Sequence, residues 1–165
     1  MSTETSRDPV CGKDVVLAES AHSLQHRGLT FHFCSRQCQQ RFEETPELYT
    51  GARRSADIHP IPKRRKLIAA QGAEGALAEA NQRLAAMTGV SSVHIDGRSL
   101  RIDYDLLLVS LTMIEAVANE AGLSFKEGLH GLRRSLWKFT ERNELENAVR
   151  AGTGACCSRP PTRLR

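Results

Sequence analysis

The sequence lacks any apolar run that approaches the roughly 20 residues a membrane-spanning helix needs. Its N-terminus also lacks the basic-then-apolar layout of a secretory signal peptide. No phosphate-binding loop, no cofactor fingerprint and no pair of carboxylates placed for acid–base chemistry occurs along the 165 residues. We therefore expect a cytoplasmic protein without a transmembrane segment, and one that is not an enzyme.

Cysteine is present, but in an odd number and at two places only. Three of the five cysteines lie in the first quarter of the chain, and the adjacent pair Cys156-Cys157 lies near the C-terminus. An odd, clustered set fits thiolates in a reducing compartment better than a disulfide framework. The net charge of +4 is mild and comes partly from the basic run of residues 63–66, and because such runs are usually solvated linkers, nucleic acid is an unlikely partner.

The first three cysteines are spaced so that their thiols can meet. Cys11 precedes Gly12 in a turn-forming stretch. Ser35 is predicted to cap a helix that extends to residue 44, where Cys34 and Cys38, four residues apart, share one face. The positive end of the helix dipole would favour the Cys34 thiolate. A turn that returns Cys11 to this pair would place three soft ligands around one ion.

Thiolate ligands restrict the choice of ion. They select Cu(I), Zn(II) and other thiophilic ions, and a structural zinc site needs four ligands, whereas three suffice for a trigonal soft ion. His32 is the best candidate for a fourth ligand, because a strand would place it on the same side as Cys34. The alternatives are His26, a tail cysteine, or a His32 that is an ordinary half-exposed strand residue.

The residues around these cysteines resemble the YHS domain, which belongs to the treble-clef-like group of cysteine metal-binding modules also called TRASH. The resemblance implies a treble-clef-like lobe over residues 8–50 that binds a metal ion through its three cysteines. A lobe of this size buries little apolar area and needs the ion as a staple. The residues that carry the resemblance are Asp8-Pro9-Val10-Cys11-Gly12, Gly28, Phe33-Cys34-Ser35, Cys38, Phe42, Pro46 and Tyr49.

A second pattern follows a predicted linker at residues 51–64. Residues 65–127 show alternating strand and helical periodicity in the order βαββαβ, which predicts a ferredoxin-like sandwich, with the first strand at residues 66–70. The core pattern, for example Gly89-Val90 and Ile102-Asp103-Tyr104-Asp105, resembles the heavy-metal-associated domain. That family's metal loop falls on residues 71–76, which contain neither cysteine nor histidine. We therefore expect the fold without its metal site, serving docking, dimerisation or positioning of the first lobe.

The C-terminal part is predicted to be a long amphipathic helix and a tail. In the helix, residues 128–151, an apolar stripe of Leu129, Leu132, Leu136 and Phe139 is predicted to pack on the sheet or on a second copy, with an anionic membrane as the alternative. Residues 1–7 and the tail, 152–165, are predicted to be disordered. Cys156 and Cys157 would be accessory thiols that capture a thiophilic ion, or an accidental pair.

Together these patterns predict an α+β protein: a small treble-clef-like metal-binding lobe, a ferredoxin-like βαββαβ sandwich and an extra C-terminal helix. Both lobes resemble modules of the cytosolic extensions of P-type metal-transporting ATPases. The leading hypothesis is a metal-handling protein that binds one Cu(I) or Zn(II) ion and acts as chaperone, buffer or accessory of an efflux ATPase. The rivals are a regulatory protein with structural zinc, such as a metal sensor contacting nucleic acid, and a redox or detoxification role for the tail thiols.

Overall fold

The computed structural model describes residues 4–50 and 59–152, which form a mixed α and β structure with small sheets. No helix in these residues is long and apolar enough to cross a membrane. The predicted tail residues 153–165, most of the predicted linker and the first three residues lie outside the described part. The strands are β1 (Thr5–Arg7), β2 (Asp14–Val16), β3 (His22–His26), β4 (Leu29–Phe33), β5 (Pro62–Ile68), β6 (Val90–Asp96) and β7 (Ser99–Asp105), and the helices are α1 (Arg36–Glu44), α2 (Pro46–Thr50), α3 (Leu77–Ala85), α4 (Leu111–Glu120) and α5 (Leu129–Gly152).

The first lobe consists of two antiparallel hairpins, β1–β2 and β3–β4, followed by α1 and α2. The β3–β4 turn has two successive residues with positive φ, Arg27 (51°) and Gly28 (80°), as a tight two-residue hairpin requires. Ser35 caps α1 by accepting a hydrogen bond from the backbone N–H of Cys38, which confirms the predicted helix start. Phe42 is fully buried against the rings of Phe31 and Phe33.

The second lobe is a three-stranded antiparallel sheet in the order β5-β7-β6. Helix α3 connects β5 to β6, and α4 follows β7. Its core is fully buried and almost entirely aliphatic, and includes Leu67, Leu84, Leu100, Ile102 and Ile114. The predicted sixth element is reduced to a single antiparallel bridge between Ala69 and Phe125.

The strand β5 begins at Pro62, inside the segment predicted to be linker, and ends at Ile68 rather than at residue 70. The basic run therefore belongs to a sheet. Its alternate side chains have acidic partners on α5, since Lys63 pairs with Glu144, and Arg65 lies 3.5 Å from Glu141 and 5.0 Å from the ring centre of Trp137. These partners lie about 80 residues away in sequence, so the charge run alone indicated a solvated linker.

The packing face of α5 differs from the predicted one. The apolar stripe of this helix points to solvent, with exposed fractions of 87% for Leu129, 69% for Leu132 and 59% for both Leu136 and Phe139. The buried face instead carries Arg134, Glu141 and Leu145. Glu141 decides this orientation, because its carboxylate accepts hydrogen bonds from the Tyr104 hydroxyl (2.5 Å) and from the backbone N–H of Leu111 (2.9 Å). The prediction that the stripe packs on the sheet is wrong.

The two lobes share a hydrophobic cluster. Leu106 and Leu107, after β7, and Leu145 of α5 pack with residues of the first lobe that include Phe42. Arg41, only 1% exposed, donates hydrogen bonds from α1 to the carbonyl oxygens of Leu106 and Leu107. The helix that carries Cys38 is therefore anchored directly to the second lobe.

Candidate metal centre

Three thiols and one carboxylate converge at the end of the first lobe. The Sγ atom of Cys34 lies 3.4 Å from that of Cys11 and 3.7 Å from that of Cys38. With a carboxylate oxygen of Asp8, these ligand atoms all lie within 4.8 Å of one another. None of the three cysteines forms a disulfide. The structure thus brings together all three of the cysteines that the sequence predicted to meet.

Three separate elements position the three thiols. Cys11 lies in the β1–β2 turn, which is closed by the hydrogen bonds from Asp8 N to Lys13 O (2.8 Å) and from Gly12 N to Asp8 O (2.9 Å). Gly12 has a φ of 74°, a backbone conformation that would be strained in a residue with a side chain. Cys34 directly follows β4, and Cys38 lies in the first turn of α1. A change in any one of these elements would separate the sulfur atoms.

Asp8 ties two of these elements together from a buried position. One carboxylate oxygen accepts hydrogen bonds from Val10 N (2.8 Å) and Cys11 N (3.2 Å), and the other accepts one from Cys34 N (2.8 Å). The residue is 1% exposed. Asp8 is one of the residues of the YHS-like motif, but it was not assigned a role from the sequence. The available signal was an aspartate at the start of a turn, where its side chain commonly binds the backbone two residues on.

The protonation of the site follows from burial. Burial alone would raise the pKa of Asp8, but the hydrogen bonds from Cys34, Val10 and Cys11 outweigh it and leave that pKa lowered. Burial raises the pKa of Cys11 to about 11, and raises the pKa of the Cys38 thiol as well. Without a metal ion, Cys11 and Cys38 are therefore neutral thiols at pH 7, and an ion must displace their protons to bind.

The donor set fits a small thiophilic ion. Zinc–thiolate bonds of about 2.3 Å imply sulfur–sulfur separations of about 3.8 Å in a tetrahedral site and about 4.0 Å in a planar trigonal one. The observed separations of 3.4 and 3.7 Å are slightly shorter, so the Cys34 sulfur needs to move apart from each of the other two by only a few tenths of an ångström. Both Asp8 oxygens already accept backbone hydrogen bonds, which indicates a positioning role for this residue and leaves the three sulfurs as the atoms that could hold an ion.

The histidines considered as a fourth ligand are not members of this group of converging atoms. His32 lies on β4 opposite Ser23, and its Nδ1 is buried without a hydrogen-bond partner among the described residues. His26 packs its ring edge against Phe42, with ring centres 5.8 Å apart. Cys156 and Cys157 lie outside the described residues. A ligand role for any of them remains a prediction.

Replacing Asp8 with asparagine is expected to weaken the site without removing a ligand. An amide presents an N–H group where the carboxylate accepts bonds, so one of the three backbone donors loses its acceptor. We expect a loss of about 1–3 kcal/mol in the free energy of unfolding and a 10–100-fold loss in metal affinity. Urea denaturation and chelator competition measure the two quantities.

The matched control for this change is Asp14→Asn, which alters an exposed aspartate on β2. The lowered pKa of Asp8 adds a pH signature. The ionised Asp8 carboxylate stabilises the fold fully above its unfolded pKa near 3.8, and this stabilisation is lost as the pH falls through the lower folded pKa. The two variants should therefore differ in stability above pH 4 and become equally stable in stronger acid. Equal stability and affinity of both variants at pH 7 would contradict the positioning role.

Comparisons with known proteins found similarity over parts of the chain. A stretch of 47 residues is 43% identical to part of a copper-transporting P-type ATPase of Rhizobium leguminosarum bv. viciae. The matched part is 28% of this chain but 6% of that relative. No solved structure gives a significant match to the chain. The chain's family match is to the YHS domain, over residues 6–53, a range that contains Asp8 and all three converging cysteines.

Proposed function

We propose that this protein binds a thiophilic metal ion through Cys11, Cys34 and Cys38 and acts in metal handling. The observation that carries the proposal is the convergence of three sulfur atoms from three separate elements, with separations of 3.4 and 3.7 Å between neighbours. Cysteines that served only as small apolar side chains would have no need to meet at one point, and Cys34 is exposed. The YHS match and the similarity to a segment of a copper-transporting ATPase support the same role.

Cu(I) is the ion that we propose, with Zn(II) as the alternative. Three thiolates satisfy a trigonal Cu(I) centre, whereas zinc needs a fourth ligand, for which His32 is the first candidate and His26 the second. Cys34 is exposed, Cys11 is half-buried and Cys38 is buried. An incoming thiolate would therefore approach the ion from the Cys34 side, and ligand exchange at a three-coordinate centre would make transfer fast.

The proposed role is that of a chaperone, buffer or accessory of a metal-exporting P-type ATPase, and not that of an enzyme. The named relative is a copper-transporting P-type ATPase, and the matched segment is a small part of it. A pump or another metal-handling protein is therefore the proposed partner. Cys156 and Cys157 are retained as proposed accessory thiols.

We propose a treble-clef-like fold for the first lobe and a ferredoxin-like fold, related to heavy-metal-associated domains, for the second. The two hairpins and α1 around the cysteines support the first assignment. The strand order β5-β7-β6 and the bridge from Ala69 to Phe125 support the second. Residues 71–76 carry no thiol or imidazole, so the second lobe would support the first rather than bind its own ion.

A structural zinc site in a regulatory protein is the second candidate. It is favoured by the hydrogen bonds that join α1 to the second lobe. The Gln37 side chain donates to the backbone carbonyl of Thr88 (2.6 Å) and accepts from its N–H (3.0 Å), and Arg41 donates to the carbonyl of Leu107 (3.2 Å). An ion that holds Cys38 in place would then stabilise the contact between the lobes. This candidate places the function on the surface of the second lobe.

Anaerobic titration of the reduced protein with Cu(I) and, separately, with Zn(II) distinguishes the two candidates. Competition with a chelator of known affinity gives the dissociation constant for each ion. We expect one Cu(I) per chain, bound tightly, with weak zinc binding. Tight zinc with four protein ligands, and loss of the folded first lobe when zinc is removed, would favour the structural site. Failure to bind either ion would refute both.

A further inference from the structure

The exposed face of α5 is unusual for a helix that packs on a protein core. Its first three turns present the apolar stripe, Leu129, Leu132, Leu136 and Phe139, with between 59% and 87% of each residue exposed. Spacings of three and four residues place these side chains in one row. The same row continues with Asn143 and Glu146, so the apolar part ends after Phe139.

The stripe cannot turn inward, because the opposite face of α5 is held by polar contacts. Arg134 pairs with Glu115 of α4 at 3.1 Å. Glu141 accepts hydrogen bonds from Tyr104 and from the backbone of Leu111. Rotating the helix to bury the stripe would leave these nearly buried charges without partners, which costs more than the stripe would gain.

The exposed charge along the apolar part of the helix has one sign, and Glu146 is the first exposed acidic residue after it. Arg133 and Arg142 lie on opposite edges of the row, and both are exposed. Between Gly128 and Arg142, a fully described stretch, no exposed acidic residue occurs. Glu127 precedes this stretch and is paired with Arg134 at 2.9 Å. Charge complementarity at this part of the helix therefore favours an anionic partner.

The length and charge of the row argue against a second helix as the partner. Stable helix–helix seams need three to four heptads, whereas this row has two, and a stable dimer buries roughly 20–30 residues on each side. A second copy would also bring arginines toward arginines, with no acidic residue on this exposed stretch to offset them. A short row of leucine and phenylalanine between cations instead fits the boundary between lipid headgroups and acyl chains.

We propose that the apolar stripe docks on an anionic lipid surface, with Leu129, Leu132, Leu136 and Phe139 inserted among the acyl chains and Arg133 and Arg142 at the phosphates. This proposal is independent of metal binding, because it uses the exposed face of α5, whereas Leu145, Ala148 and Val149 are the helix residues that pack with the cysteine lobe. Peripheral attachment of this kind would place the cysteine cluster near a membrane without a spanning helix.

The test is sedimentation of the full-length reduced protein with sucrose-loaded vesicles. One set of vesicles contains phosphatidylcholine alone, and the other contains 30 mol% phosphatidylserine. Trp137, the single tryptophan of the chain, stacks on Arg133 at 4.7 Å and provides an emission signal for the same titration. Each arginine near an anionic surface contributes about a five-fold gain, so binding to phosphatidylserine vesicles should be about 25-fold tighter.

Two double variants separate the apolar and the charged parts. Leu132→Ser with Leu136→Ser should weaken binding to anionic vesicles about 100-fold. Arg133→Glu with Arg142→Glu should remove the preference for phosphatidylserine. Leu29→Ser is the matched control, because Leu29 is 65% exposed on the other lobe, and it should leave binding unchanged. Circular dichroism verifies that all variants remain folded, as exposed positions permit.

Absence of binding to either vesicle, or equal binding by the control and the leucine double variant, would overturn the proposal. So would a dimer in analytical ultracentrifugation that the leucine double variant abolishes while vesicles have no effect, since the stripe would then belong to a second copy. Binding to anionic vesicles that the leucine variant loses, together with salt sensitivity, would support it.

Discussion

Cys38→Ser is expected to lower the affinity for Cu(I) more than about 100-fold, a larger loss than the 10–100-fold effect of a change outside the ligand shell. The serine hydroxyl does not ionise at neutral pH, so one of the three soft donors disappears. Cys38 is 1% exposed in the first turn of α1, and no solvent thiol can replace it there. Chelator competition with the reduced protein measures the change, and Cys11→Ser should behave similarly.

The tail offers a matched control for this substitution. Changing both Cys156 and Cys157 to serine removes the same chemical group twice, at positions other than Cys11, Cys34 and Cys38. We expect its Cu(I) affinity to stay within about three-fold of the unmodified protein, a margin of about 0.7 kcal/mol. If Cys38→Ser kept full affinity while the tail variant lost it, the metal centre would lie in the tail and the proposed site would be wrong.

Arg41→Met is expected to destabilise the protein by about 3 kcal/mol. The guanidinium, buried on α1, donates to the carbonyls of Leu106 and Leu107 and to Glu44 at 2.8 Å. Methionine fills much of the same volume but donates nothing, so buried carbonyl oxygens of the second lobe lose their partner. Urea denaturation, followed by circular dichroism, measures the loss of free energy of unfolding.

The matched control for Arg41 is Arg36→Met, the same chemical change at an exposed position of the same helix. We expect this variant to stay within about 0.5 kcal/mol of the unmodified protein. A lysine at position 41 should rescue little, because an ammonium group lacks the planar fork that reaches two carbonyls at once. Equal stability of Arg41→Met and Arg36→Met would show that the lobes do not depend on this contact.

The meeting of the cysteines was predictable because the residues that position Cys34 and Cys38 lie close together in the sequence. Cys34, Ser35 and Cys38 fall within one helical turn, and the capping serine fixes the geometry of that turn locally. The convergence of Cys11 followed from its turn and from the resemblance of the surrounding motif. Asp8 escaped assignment because the hydrogen bond that joins the Cys11 turn to Cys34 is long-range: it comes from the backbone N–H of Cys34, 26 residues away.

The packing of α5 was not predictable from the chain alone. Its apolar periodicity predicts that one face is buried. The opposite face is buried instead, because Glu141 accepts hydrogen bonds from Tyr104 of β7 and Leu111 of α4, and Arg134 pairs with Glu115 of α4. Such partners are distant in sequence, and a hydrophobic pattern contains no information about them. The start of β5 has the same explanation, since Lys63 and Arg65 form ion pairs with α5.

The amino-acid sequence by itself determined the local elements and the ligand chemistry: thiols at a helix start and in a glycine turn, a YHS-like lobe, and an alternation of strands and helices after it. Only the tertiary structure decided that the two lobes share a core, that Asp8 joins the cysteine turns, and that the apolar stripe of α5 faces outward. The physical reason is that buried charges such as Arg41, Arg134 and Glu141 must each find partners, and those partners lie on distant segments that only the folded chain brings near.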